Sequence, residues 1–249
     1  MMGKRKGTTE GAMTHNIVII GGYNSAWPLY LGAARRLEAV TGRPAVAVPI
    51  MPWHWWGADR SEDATPLLQK LAGTLDWSRR RHGVERSVLV GHSAGGLLAR
   101  LYLADGAVWG HHYNGVGQVA RVFTLGSPHC GLHDAGTGWY LSDAANDLAP
   151  GAPRGDTIPF CAVAGRILQG RKDGSYFERR AYRRYRFFTG EDGAWGDGTV
   201  PVDCARLDGA QDVVLEGVAH SLRTIPTPGA EWYLSSAAVI RRWWPEACA

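Results

Sequence analysis

The stretch Arg86-Ser87-Val88-Leu89-Val90-Gly91-His92-Ser93-Ala94-Gly95-Gly96-Leu97-Leu98-Ala99-Arg100 constrains this chain more than any other. Its short apolar, β-branched run reads as a buried strand. Leu97, Leu98, Leu101 and Tyr102 follow at helical spacing, so strand turns to helix within about four residues. Ser93 sits on that turn, inside Gly91-His92-Ser93-Ala94-Gly95. So tight a turn holds its central residue in a sparsely populated backbone conformation and brings its flanks together, which residues without a Cβ tolerate. Strain of roughly 1–3 kcal/mol at such a point persists only where the surroundings enforce it. The chemical consequence is a serine hydroxyl exposed above the sheet edge at a helix N-terminus, with the Ala94 N–H aimed at a developing oxyanion.

The flanking sequence repeats the strand-then-helix pattern. Residues 16–20 are a continuous apolar run ending at Gly21-Gly22-Tyr23, and Pro28 opens a helix to about Val40. Residues 45–50 form the next buried strand, followed by a loop carrying Trp53, His54, Trp55 and Trp56. Thr65 and Pro66 start a helix carrying Leu67, Leu68, Leu71 and Leu75 that closes on Arg79-Arg80-Arg81-His82-Gly83. Further strands are expected at 119–125, 158–165 and 212–218, with a closing helix over 231–244. This alternation specifies an α/β fold: a mostly parallel sheet with helices on both faces. Ligands of such sheets bind beyond the carboxyl ends of the strands, which places Tyr23, the tryptophan loop and Ser93 at one rim.

A serine hydroxyl needs a general base, and the base needs a third group to hold its tautomer. On this architecture the chain order is serine, acid, histidine. His15, His54, His82 and His92 precede the serine, His111 and His112 leave no room for an acid on a later strand, and His129 and His133 directly follow one strand. His220, just past the last strand, remains as the base. The acid is Asp197 in Gly196-Asp197-Gly198-Thr199-Val200-Pro201, with Asp192 and Asp203 as rivals. The second oxyanion donor is expected from the loop after the first strand, as the Tyr23 N–H or else that of Asn24. No metal or organic cofactor is called for, and calcium ligation by Asp192, Asp197 and Asp203 lacks the EF-hand spacing.

Four motifs in this order resemble those of the α/β-hydrolase superfamily, in its lipase and esterase-like branch. Gly21-Gly22-Tyr23 stands where such lipases usually have His-Gly and an apolar residue, and Gly91–Gly95 matches their nucleophile elbow. Gly126-Ser127-Pro128-His129-Cys130-Gly131 is similar to their Gly-Thr-Pro-His-x-Gly element, and Gly196–Pro201 to the acid loop of lipases and lipid acyltransferases. The resemblance implies a serine hydrolase cleaving carboxylic esters, with lipid-like acyl chains, through an acyl-enzyme. Acyl transfer to an alcohol is the alternative, and a non-catalytic binding module on a retired scaffold the rival from another class.

The 249 residues suit one domain over 15–249, after a disordered leader over 1–14. A small cap is expected around 132–157, as a short helix lying over the rim. An irregular basic insertion is expected around 166–190, with residues 185–188 extended. The leader has no apolar region after its basic residues, and no run approaches the ~18 apolar residues that span a bilayer. Cytoplasmic location with reduced thiols is therefore expected for Cys130, Cys161, Cys204 and Cys248, a Cys130–Cys204 bridge being conceivable only on export.

The substrate is expected to be a small-molecule or lipid ester touching Trp53, His54, Trp55, Trp56, His92, His129 and Trp139. The net charge of +4 permits peripheral contact with an anionic membrane surface. Residues 171–188 interleave seven cations with aromatics and are read as a solvated face pairing with local acids. Nucleic acid is not an expected partner.

Overall fold

A computed structural model describes residues 15–131, 140–190, 192–224 and 228–244. In chain order the elements begin with β1 (His15–Ile20), a 3-10 turn (Trp27–Tyr30), α1 (Leu31–Thr41), β2 (Ala45–Ala47) and α2 (Pro52–Ser61). Then come α3 (Thr65–His82), β3 (Arg86–His92), α4 (Ala94–Tyr102), α5 (Gly115–Gln118), β4 (Val119–Leu125) and α6 (Tyr140–Leu148). The chain continues through β5 (Phe160–Arg166), β6 (Leu168–Gln169), α7 (Tyr176–Thr189), β7 (Trp195–Gly196) and α8 (Val202–Ala205). It ends with β8 (Gln211–Glu216), β9 (Val218–Ala219), β10 (Glu231–Trp232) and α9 (Ala237–Trp243).

Six strands form one parallel sheet in the order β2-β1-β3-β4-β5-β8. Successive side chains of a strand point to opposite faces, and β1 and β3 fill two cores accordingly. Val18, Ile20 and Leu89 pack with Leu71 of α3, Leu97 of α4 and Leu141 of α6. Ile17, Ile19, Val88 and Val90 face Leu37 of α1 and Trp243 of α9. Both faces of the sheet are covered, which is why its strands read as continuous apolar runs.

The departures from sequence expectation have local causes. The tryptophan loop is helix α2: Pro52 presets its first turn, and the His54 Nδ1 accepts the Met51 N–H at 2.9 Å. The basic insertion is no irregular segment. It is helix α7, opened by a capping box in which the Ser175 hydroxyl accepts the Glu178 N–H while Glu178 accepts the Ser175 N–H at 2.7 Å, and closed by Gly190 at φ 68°. Residues 185–188 are helical, not extended. The closing helix is shorter than expected, because residues 231–232 pair with β9.

The expected cap helix is α6, but it packs on α4, with Leu141 and Ala145 fully buried. Arg100 of α4 fixes it there. Its guanidinium donates to the Ala145 and Ala149 carbonyls, each at 2.9 Å, and to Asn146 Oδ1, occupying acceptors at the C-terminal end of α6. Residues 132–139 of that cap, and the expected leader over 1–14, lie outside the described residues.

Cys130 and Cys204 form a disulfide, their Cα atoms 4.9 Å apart, which corrects the expectation of reduced thiols. Cys161 is a thiol buried in β5, and Cys248 lies outside the described residues. Among the described residues no helix is long and apolar enough to cross a membrane.

Candidate active site

The turn after β3 has the strain its sequence demands. Ser93 lies at φ 54°, ψ −125°, between β3 and the first residue of α4. A Cβ on Gly91 would meet the Gly96 backbone at 2.6 Å, and one on Gly95 would meet the Ile20 carbonyl oxygen at 2.2 Å, so only glycine fits at either flank. The elbow is held from outside by the Ser93 N–H donating to the Leu125 carbonyl at 2.9 Å. The Ala94 N–H, in the first turn of α4, has no preceding intrahelical carbonyl to bond.

His220 follows β9, and its ring Nδ1 lies 2.7 Å from Asp197 Oδ2. A second bond, from the His220 N–H to the Asp197 carbonyl at 2.8 Å, ties the two loops by their backbones. Asp197 is fully buried and its carboxylate is saturated. Oδ1 accepts the Thr199 and Val200 N–H groups at 2.9 and 2.7 Å, while Oδ2 accepts His220 and the Tyr233 hydroxyl, the latter at 2.8 Å. Burial by itself would raise the Asp197 pKa, yet the His220 charge and these donors pull it below the ordinary carboxylate value. An acid that stays ionised keeps His220 Nδ1 protonated and its Nε2 lone pair available. Of the rival acids, Asp203 pairs with Arg206 at the surface, and Asp192 is exposed beside Arg171 and Asp173.

Ser93 and His220 line one cleft of about 660 Å³ together with Tyr23, Pro128, Phe188 and Thr199. A smaller cavity of about 290 Å³ shares Tyr23, Ser93 and His220 with it and is also lined by Gly22, Leu29, His92 and Trp232. Among the described residues the Ser93 hydroxyl has no hydrogen-bond partner, and Ser93 and His220 line both cavities together. A Cβ on Gly22 would lie 2.9 Å from the Ser93 Cβ, so the backbone leading to the Tyr23 N–H passes close to Ser93.

His92 joins the loop after β1 to the His220 loop. One of its nitrogens, Nε2, lies 2.9 Å from the His220 carbonyl, which can only accept, so Nε2 carries the proton. Nδ1 then accepts the Tyr30 hydroxyl at 2.8 Å, and the Tyr30 oxygen accepts the Gly22 N–H at 2.9 Å. Burial, with the nearby His220 charge, pushes the His92 pKa down to about 3, so the ring stays neutral and the relay keeps one proton pattern. His129 is likewise neutral and buried: Arg100 donates to its Nδ1 at 3.3 Å and its Nε2 faces Thr124 Oγ1 at 3.0 Å. It lines neither cavity.

The expected aromatic contacts are arranged differently. Trp55 is in the core, Trp53 and Trp56 are about half exposed, and none of Trp53, His54, Trp55 and Trp56 lines either cavity. Helix α2 braces the loop after β1 instead. The Tyr23 hydroxyl donates to Asp59 Oδ2 at 2.5 Å, the Trp56 Nε1–H donates to Asn24 Oδ1 at 3.0 Å, and the Tyr23 and Trp55 rings meet edge to face. Trp139 lies outside the described residues.

Sequence reasoning missed Tyr30, Tyr233 and Tyr185 as site residues and read the arginines of α7 as a solvated face. Tyr185 accepts the Gly198 N–H at 2.7 Å, and Arg184 donates to the Gly198 carbonyl and to Thr199 Oγ1 at 3.2 and 2.8 Å, so α7 clamps the acid loop. The Ser175-x-x-Glu178 box was the one available signal for α7; the tyrosines act across the fold and have no local signature.

No family model and no curated protein matches this sequence. Among solved structures the chain is similar to the mature form of the Bacillus licheniformis lipase BlEst2, at 19% identity and a TM-score of 0.57, over 96% of this chain and 92% of that one. It is also similar to a Listeria innocua gene product, at 14% identity and a TM-score of 0.49, over 94% of this chain and 96% of that one. With the parallel sheet and the strained turn between β3 and α4, the first of these likenesses shows that the chain has the α/β-hydrolase fold.

Proposed function

We propose that the protein is a serine hydrolase that cleaves carboxylic esters through a covalent acyl-enzyme. The observation that carries this reading is the 2.7 Å bond from His220 to a fully buried Asp197, in the same cleft as a serine held at φ 54°. Ser93 Oγ attacks the ester carbonyl carbon while His220 Nε2 takes its proton. The Ala94 and Tyr23 N–H groups hold the resulting oxyanion. Collapse of the tetrahedral intermediate breaks the bond to the alcohol oxygen, which receives the proton from His220. Water then attacks the acyl-enzyme, its proton passes to His220, and Ser93 is regenerated as the carboxylic acid departs.

Phe187, Phe188, Pro128 and Val200 give the larger cleft apolar walls suited to an acyl chain. The Cys130–Cys204 bond supports a site of action in an oxidising compartment, where disulfides persist, in place of the cytoplasmic location expected from the sequence. The test is turnover of a p-nitrophenyl ester series of rising chain length. Wild type is expected to hydrolyse at least the shorter members, and Ser93→Ala and His220→Ala each to lose on the order of 10⁴–10⁶ in kcat. Equal activity in wild type and Ser93→Ala would overturn the reading.

A further inference from the structure

Three arginines share a cleft with Ser93. Arg180 and Arg184, one turn apart on α7, and Arg223, after the His220 loop, line the same cleft as Ser93 and His220. Among the described residues none of the three forms an ion pair with a carboxylate. Their hydrogen bonds to protein are to neutral oxygens: Arg184 to Gly198 and Thr199, and Arg180 to the Arg223 carbonyl at 3.5 Å. Burial first and the neighbouring Arg180 second lower the Arg184 pKa, against the opposing pull of the Asp197 carboxylate. The exposed cations of the helix behave otherwise. Arg179 and Arg183 are bonded to backbone carbonyls of their own segment and do not line the cleft.

A neutral ester offers such a cluster no opposite charge to pair with, and like charges in one cleft repel. A guanidinium fork matches the oxygens of a carboxylate or phosphate, most strongly where water is partly excluded. We infer that the cleft takes esters that carry an anionic group, a carboxylate or phosphate, seated among Arg180, Arg184 and Arg223 while Ser93 attacks the ester carbonyl. The apolar walls hold the hydrocarbon between the two ends. This inference rests on the ester-hydrolase reading and narrows its substrate class.

The test compares esters matched in length. Mono-p-nitrophenyl adipate and p-nitrophenyl hexanoate place the charge, or its absence, at the far end of the acyl chain. Hexanoyl glycerol phosphate and monohexanoyl glycerol place it on the alcohol. At low salt, wild type is expected to favour the charged member of one pair by at least about tenfold in kcat/KM, and the favoured pair identifies the side of the ester that bears the anion. The double variant Arg180→Gln/Arg223→Gln should lower that charged-to-neutral ratio by about tenfold, to near one. Arg180→Lys/Arg223→Lys should retain most of it, and thermal midpoints show that each variant is folded. The inference is overturned if neither charged ester is preferred while hexanoate is hydrolysed. It is also overturned if Arg179→Gln/Arg183→Gln lowers the ratio as much, since net charge alone would then explain it. Turnover of no ester at all overturns instead the reading on which it rests.

Discussion

Tyr233→Phe isolates a single bridging oxygen. The Tyr233 hydroxyl accepts the Gly165 N–H at 2.6 Å and donates to Asp197 Oδ2 at 2.8 Å, and the side chain is fully buried. Phenylalanine keeps the ring volume, so packing against His92 at 6.2 Å between centroids is retained. What is lost is one hydrogen bond to a charged acceptor, and what is left is a buried N–H with no partner. Each of these costs about 1–3 kcal/mol, and since they share one atom a total of about 3 kcal/mol is expected. For a chain of this size that lowers the thermal midpoint by roughly 6–12 °C. Asp197 retains its two loop amides and His220, so kcat should fall only about tenfold, far less than on loss of a triad member. Differential scanning fluorimetry and p-nitrophenyl ester kinetics read the two effects separately. A midpoint within 2 °C of wild type, where 2 °C is about the effect of less than 1 kcal/mol, would refute the claim that this oxygen satisfies a buried network.

Asp197→Asn should fold, because the two loop amides still find an oxygen, but kcat should fall by about 10⁴ as His220 loses the partner that fixes its tautomer; single-turnover acylation measures it. Stability should also fall with pH. Unfolded histidine binds a proton near pH 6.5 but folded His92 only near 3, so below 6.5 the unfolded state holds more protons and each such histidine removes up to about 1.4 kcal/mol per pH unit. The depressed Asp197 adds a further loss once pH falls below the unfolded carboxyl value near 4. Denaturant midpoints at pH 7, 6, 5 and 4 check this, and a midpoint constant to pH 4 contradicts it. Reducing Cys130–Cys204, which closes a loop of 74 residues, should destabilise by about 4 kcal/mol on the chain-entropy model, read as a lower thermal midpoint in reductant.

The proposed triad could be put forward from sequence because each member sits in a short segment whose local chemistry is distinctive. Ser93 lies between a buried strand and an apolar helix, Asp197 between two glycines, and His220 just beyond a strand. Chain order did the rest. What holds these residues was not legible, since Tyr30, Tyr185 and Tyr233 reach the site across sequence separations that no periodicity records. The parallel sheet was readable from its continuous apolar runs, while short pairings such as β6 with β7 rest on two residues each. Trp53–Trp56 shows the opposite failure. Aromatic content suggested a pocket, but Pro52 starts a helix there, and α2 acts by bracing Tyr23 and Asn24 rather than by lining the cavity. In α7 the cations hid an ordinary helix with a capping box, whose inner face holds the acid loop through Arg184 and Tyr185.

The central claim is that Ser93 is a nucleophile activated by His220 and Asp197. Intact-protein mass spectrometry after treatment with a fluorophosphonate tests it without assuming a substrate. The account predicts one phosphonyl adduct per chain, mapped to Ser93 by peptide digestion, absent in Ser93→Ala and slowed by orders of magnitude in His220→Ala. A folded wild-type protein that takes no adduct, or one labelled equally in Ser93→Ala, would contradict it.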